Sequence, residues 1–254
     1  MKTTRISAAL VAALALPLLS ACVSTGGMQG SDLEAARVNT QLAMRYLQRG
    51  NVDIAMEKVD RALEQNDDYA EAWLVKGMIL ARAKEYDDAD DYYERAARLG
   101  EKNSAVLNNV AAYFCSRGRF RDGEELFLKV AAMPTFARPA IAYTNAGMCA
   151  RRIPEMARAE RHLRRALELE PAYPLALWHM AELSLERGEP LSARAFLQRL
   201  EGVQPLGPDG LWLGVRVERE LGDPEAERRY ANILLRDFPE SREAELLTNG
   251  DPNE

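Results

Sequence analysis

The sequence predicts an all-α protein, a right-handed solenoid of about six helix–turn–helix repeats and about twelve helices. Three observations carry this. The chain matches itself at a nearly constant period of about 34 residues, small residues return to the same slots of every unit, and apolar residues between them keep helical spacing. A unit of this kind cannot bury both of its apolar faces alone, so neighbours must stack.

Taken in chain order, the first element is an export signal. Lys2 and Arg5 precede an apolar run, Ile6 to Leu19, whose one polar residue is Ser7. The run is of secretory length, and it is too short and too interrupted by Pro17 to read as a membrane span. Leu19-Ser20-Ala21-Cys22 resembles the lipobox of bacterial lipoproteins, where the cysteine thiol is diacylated and cleavage falls just before it. The resemblance implies a signal peptide over 1–21, with the acyl lipid on Cys22 as the only added group and no cofactor. A soluble export signal with a cysteine nearby is the alternative. Val23, in place of an inner-membrane-retaining Asp, implies lipid anchoring in the outer membrane, facing the periplasm. Cleavage removes Lys2 and Arg5 and no acid, which takes the net charge from −6 to −8. So acidic a chain is a poor partner for nucleic acid, whose phosphates need cations.

Residues 22–35 read as the lipidated cysteine and a flexible tether, since 23–31 (VSTGGMQGS) are small, Gly-rich and polar. Such a segment reaches about 30 Å, and Ser31/Asp32 then offers a helix N-cap. The repeats occupy 36–241, with starts near 36, 70, 104, 140, 174 and 207. Alanine recurs at Ala55 and Ala89 and again at Ala62 and Ala96, with Val59 and Tyr93 between them. Phe127, Leu163, Leu197 and Tyr230 continue that middle slot through the later units. In helix A of the second unit, Trp73 and Leu80 flank Gly77, which lets helix B come close. The pattern resembles the tetratricopeptide repeat. Gly123 and Val130 depart from it where alanine is usual, the sixth unit is out of step at Leu221-Gly222, and 242–254 read as a C-terminal tail.

Two cysteines remain, Cys115 and Cys149, in helix A of the third and fourth units. Neighbouring A helices lie side by side, export permits oxidation and the remaining count is even, so a disulfide is expected. Two buried thiols are the alternative. The histidines suggest no chemistry: His162 sits among Arg161, Arg164 and Arg165 as on a solvated face, and His179 reads as a satisfied or half-exposed ring. No metal spacing, nucleophile elbow or phosphate loop is present. Asp87 to Asp91 lacks the glycine and terminal Glu of a calcium loop and suits a helix N-terminus. Catalytic and metal sites are therefore expected to be absent, and nothing indicates a small-molecule substrate.

Binding remains. The repeat resemblance implies a concave groove lined by slots 2, 5, 9 and 12 of each A helix. In the first two units those slots place Met44, Leu47, Leu74 and Met78 on a face that internal packing does not require. The alternative is that a flanking helix or the tether covers them. Asn108, in the third unit, offers an amide to a peptide backbone. The lipobox and short tether, LNNVAAYFCSRGRF (107–120) answered by NAGMCARR (145–152), and the closing LWLGVRVERELGD…ANILLRDFPES (211–241) resemble the PilF/PilW lipoproteins of type IV pilus biogenesis. That resemblance implies a non-catalytic pilotin, which binds outer-membrane secretin subunits and promotes their localisation and multimerisation. Another periplasmic adaptor, serving a protease or outer-membrane assembly, is the alternative, and a cell-wall enzyme is a more distant one.

Overall fold

The computed structural model describes residues 26–153 and 155–249. The signal read over 1–21 and the lipidation site Cys22 lie outside the described residues. Six antiparallel helix pairs follow one another: α1 (Gly26–Gln48) with α2 (Val52–Gln65), α3 (Ala70–Ala83) with α4 (Tyr86–Leu99), and α5 (Ser104–Ser116) with α6 (Phe120–Ala131). Next come α7 (Pro139–Ala150) with α8 (Met156–Leu169), α9 (Pro174–Glu186) with α10 (Pro190–Glu201), and α11 (Pro208–Leu221) with α12 (Pro224–Asp237). A thirteenth helix, α13 (Arg242–Asn249), ends the described chain. From the second pair onward, each A helix begins at or beside the start expected from the repeat.

Each A helix touches its own B helix and the next A helix, whereas successive B helices do not meet. The A helices therefore line the concave side and the B helices splay over the convex one. The packing rule is one close approach per pair. A small residue on helix A faces a large one sixteen positions later on helix B: Ala43 and Val59, Gly77 and Tyr93, Ala111 and Phe127, Gly147 and Leu163, Ala181 and Leu197, Gly214 and Tyr230. All of these side chains are buried. Where the A residue is glycine, there is no room for more: a Cβ would lie 2.9 Å from the Tyr93 ring at Gly77, 2.8 Å from Leu163 at Gly147 and 2.7 Å from the Tyr230 ring at Gly214.

Turns repeat as well. A left-handed residue links A to B in five pairs: Gly50, Lys84, Gly118, Gly188 and Gly222. In the sixth pair Gly222 falls eight positions after the notch residue Gly214, against seven in the other four, which is the shift expected at Leu221-Gly222. The lengthened step between the third and fourth units comes from the α6–α7 segment, where Met133 and Phe136 fold back on Leu107, Val130 and Ala142.

Both ends differ from the sequence reading. α1 is helical from Gly26, so much of the tether expected over 22–35 belongs to a helix, and Ser31/Asp32 lie inside it instead of capping it. Leu33, Glu34 and Ala35 propagate a helix already fixed by packing from Ala36 onward, at little further cost. The tail expected over 242–254 supplies α13, which meets α11 and α12 as a further A helix would. Its Ala244 is buried, and Leu246 and Leu247 lean on the same core. It closes the apolar end of the stack.

Polar links tie each repeat to the next. The Tyr113 hydroxyl donates to Asp90 at 2.5 Å, Arg187 donates to Glu160 at 2.5 Å, and Arg194 Nε donates to Glu218 at 3.0 Å. Fully buried Glu124 accepts from Arg158 Nε and His162 Nε2, both at 2.6 Å. His162 thus belongs to an inter-repeat link and not to a solvated face, because α8 turns it toward α6.

Two substitutions test the packing rule in opposite directions. Gly214→Ala is expected to lower stability by about 1–3 kcal/mol, since the buried Tyr230 ring has nowhere to go. Lys84→Gly is expected to raise it by roughly 0.5–1 kcal/mol, the relief of about 1–2 kcal/mol of left-handed strain less the entropy that glycine adds to the unfolded chain. Equilibrium denaturation of both variants measures the two effects.

Candidate functional site

Cys115 on α5 and Cys149 on α7 are joined as a disulfide, with Cα atoms 5.7 Å apart. The bond links the third repeat to the fourth, and Gly123 explains how it fits. A Cβ there would overlap Cys115 Sγ and stand 2.8 Å from the Ala111 carbonyl oxygen and 3.1 Å from Cys149 Sγ. The alanine usual in that slot is replaced because the sulfurs occupy its volume.

The disulfide also forms part of the floor of a groove of about 680 Å³ on the concave side, spanning α5, α7 and α9. Ala112, Phe127 and Met148 continue the apolar floor, and Ser116, Asn145, Arg151, Arg152, His179 and Glu186 supply the polar wall. Arg151 is pinned: its guanidinium donates to Glu182 at 2.6 Å and to Glu186 at 2.9 Å. His179 is only 9 % exposed; its Nδ1 lies 3.1 Å from Glu182, while its Nε2 is buried without a partner. Arg152 is exposed, with its guanidinium 5.7 Å from the Phe120 ring. Burial would raise the pKa of Glu182, but hydrogen bonds from His179 and Arg151 outweigh it and hold the carboxyl below its ordinary value.

This groove is not where the slot reading placed the binding face. Leu47 and Leu74 are 5 % and 6 % exposed and belong to the core. Leu47 packs in a cluster with Val75 and Ile79, and Leu74 in one with Val106 and Val110. Met44 and Met78 are half-buried against the same clusters, so this face is needed for packing. The physical reason is direction: slots 5 and 12 point at the adjacent A helix, as buried Thr40 and Thr144 and the Cys115 bridge also do. Asn108 is half-buried and accepts a long hydrogen bond from Asn145 Nδ2 at 3.5 Å, which places it beside the groove. The groove's own residues were available to the same reading, since slots 9 and 12 of the fourth unit are Met148 and Arg151. His179 and Glu186 carry no comparable signal, because they fall at slots 6 and 13 of the fifth unit, one beyond slots 5 and 12.

Gly123→Ala is expected to cost about 1–3 kcal/mol in the oxidised protein. Part of that cost should disappear in a background carrying Cys115→Ala and Cys149→Ala, and a double-mutant cycle by denaturation reads the coupling. An acid-side effect is expected from Glu182. A carboxyl with a depressed folded-state pKa stabilises the fold above its unfolded value of about 4.3 and loses that contribution as pH falls through the folded value. Glu182→Gln should therefore make stability fall less steeply below about pH 4, as urea midpoints across pH would show.

Comparison with known proteins agrees with this architecture. Tetratricopeptide repeat profiles match residues 40–104 and 113–174, and a second such profile matches 155–209. The type IV pilus assembly protein PilF of Pseudomonas aeruginosa is 27 % identical over 197 residues, covering 75 % of this chain and 77 % of that protein. The crystal structure of PilW, a widely conserved type IV pilus biogenesis factor, superposes with a TM-score of 0.72 at 28 % identity, covering 84 % of this chain and 98 % of that one. The structure of P. aeruginosa PilF superposes with a TM-score of 0.70 at 24 % identity over 87 % of this chain and 100 % of that one, a likeness of fold. The helix pairs, their small-residue notches and these matches together make the chain a member of the tetratricopeptide repeat family, homologous to the type IV pilus biogenesis proteins PilF and PilW.

Proposed function

We propose that the protein is a non-catalytic scaffold of type IV pilus biogenesis, held at the periplasmic face of the outer membrane by acyl chains on Cys22. It binds secretin subunits and promotes their localisation and multimerisation. The observation that carries this reading is homology to PilF over three quarters of the chain. Support comes from the lipobox-like Leu19-Ser20-Ala21-Cys22 and from the concave groove, which offers an apolar floor and hydrogen-bonding walls of the kind that receive protein segments. Acyl chains on one cysteine supply the multi-chain attachment that stable anchoring needs.

The test is genetic and biochemical. In a strain lacking the protein, heat-resistant secretin multimers and twitching motility should be lost from the outer-membrane fraction and restored by the wild-type chain. Cys22→Ser should give a folded protein that washes from membranes with salt and leaves secretin subunits unassembled. Multimers that persist undiminished in the deletion strain overturn the reading.

A further inference from the structure

Resting on the scaffold role above, we propose that the groove of repeats three to five receives an extended peptide segment of the partner. That segment lays an apolar side chain on the Cys115–Cys149 disulfide, gives a main-chain N–H to His179, and sets a carboxylate against Arg152. Three observations define this occupant. The floor is apolar and partly open, with Met148 left 38 % exposed and the bridged Cys115 and Cys149 in its lining. Apolar surface left in a concavity is where a partner side chain gains most from leaving water.

The second observation is the unpaired ring nitrogen. A carboxylate oxygen only accepts, so His179 Nδ1 donates to Glu182; in the neutral form of the ring, Nε2 is then an acceptor. That acceptor is buried without a partner at the wall of the groove. A buried, unmade hydrogen bond is costly to the free protein, and an incoming donor relieves it. A partner helix has already spent its main-chain N–H groups internally, and an acyl chain has none, whereas an extended peptide presents one at every second residue.

The third observation is charge. Of the two groove arginines, Arg151 is held by Glu182 and Glu186, while Arg152 makes no ion pair among the described residues and stands exposed at the rim. Arg152 is thus the cation available to a partner's carboxylate, and pinned Arg151 keeps the wall in place. This position sets specificity for an acidic residue beside an apolar one.

The experiment measures binding of overlapping synthetic peptides, covering the periplasmic part of the cognate secretin, to the lipidated full-length protein in detergent by fluorescence anisotropy. Met148→Glu and Arg152→Glu alter exposed side chains, and unchanged melting curves establish that they fold. At least one peptide with adjacent apolar and acidic residues should bind, and each variant should weaken it by about tenfold or more. Replacing the peptide's acid with lysine should weaken binding to the wild type and recover it with Arg152→Glu. Binding untouched by both variants, or a bound peptide whose circular dichroism is helical, overturns the proposal. So does binding of intact secretin subunits with no peptide active, an outcome that leaves the scaffold role standing. Failure of intact subunits to bind overturns the scaffold role itself.

Discussion

The constraint on which the structure depends is the notch between paired helices. At one point in each repeat, helix A must be small enough for a large side chain of helix B to enter it. Across the six notches, glycine faces both tyrosines and one leucine, and alanine faces valine, phenylalanine and another leucine. Interhelical distance is set there, because close-packed interiors tolerate neither an extra methyl nor a missing one without a penalty. The spacing of the two helices within every pair therefore follows from six small residues.

The third repeat departs from its neighbours for a reason of the same kind. Alanine fills the first small slot of helix B in the five other units, at Ala55, Ala89, Ala159, Ala193 and Ala226, the first four fully buried. At Gly123 the volume is ceded to two sulfurs, which cross from α5 to α7. A covalent bond thus replaces part of the van der Waals contact between repeats, and it does so at the floor of the groove. A cross-link of this span limits the unfolded chain, and by the loop-entropy account stabilises the fold by about 3–4 kcal/mol. It also keeps α5 and α7 from sliding, which holds the floor of the groove to one shape.

Much of this was legible in the sequence because the notch repeats. The helix starts, the pairing of Gly77 with its helix B, and the meeting of Cys115 with Cys149 all follow from one period. What stayed hidden depends on direction and on chain ends. Leu47 and Leu74 occupy slots that look solvent-facing in a single pair, but a neighbouring A helix covers them. His162 looks solvated among arginines because sequence neighbours on a helix point different ways; its real partner, Glu124, is 38 residues away. The end helices escape a period-based reading altogether. α13 shares the docking place of an A helix but has no B helix after it among the described residues, so only its buried Ala244 and leaning Leu246 and Leu247 reveal its role.

Identical notches alone would let any repeat stack on any other, and the polar links remove that freedom. The residue following helix B's small slot changes from unit to unit: Met56, Asp90, Glu124, Glu160, Arg194. Each finds a different complement in the next repeat: Met56 an apolar cluster, Asp90 a hydroxyl, Glu124 a guanidinium and an imidazole, Glu160 a guanidinium, Arg194 a carboxylate. Charge reverses at the fifth link, so stacking the fifth repeat where the third or fourth belongs would oppose like charges. At Glu124 the penalty would be greatest, because a fully buried carboxylate without its cation is among the most destabilising defects a core can hold. Order along the solenoid is enforced by the cost of mispairing, as partner choice is in coiled coils. The groove needs that order, since its floor comes from the third and fourth repeats and its buried acceptor from the fifth.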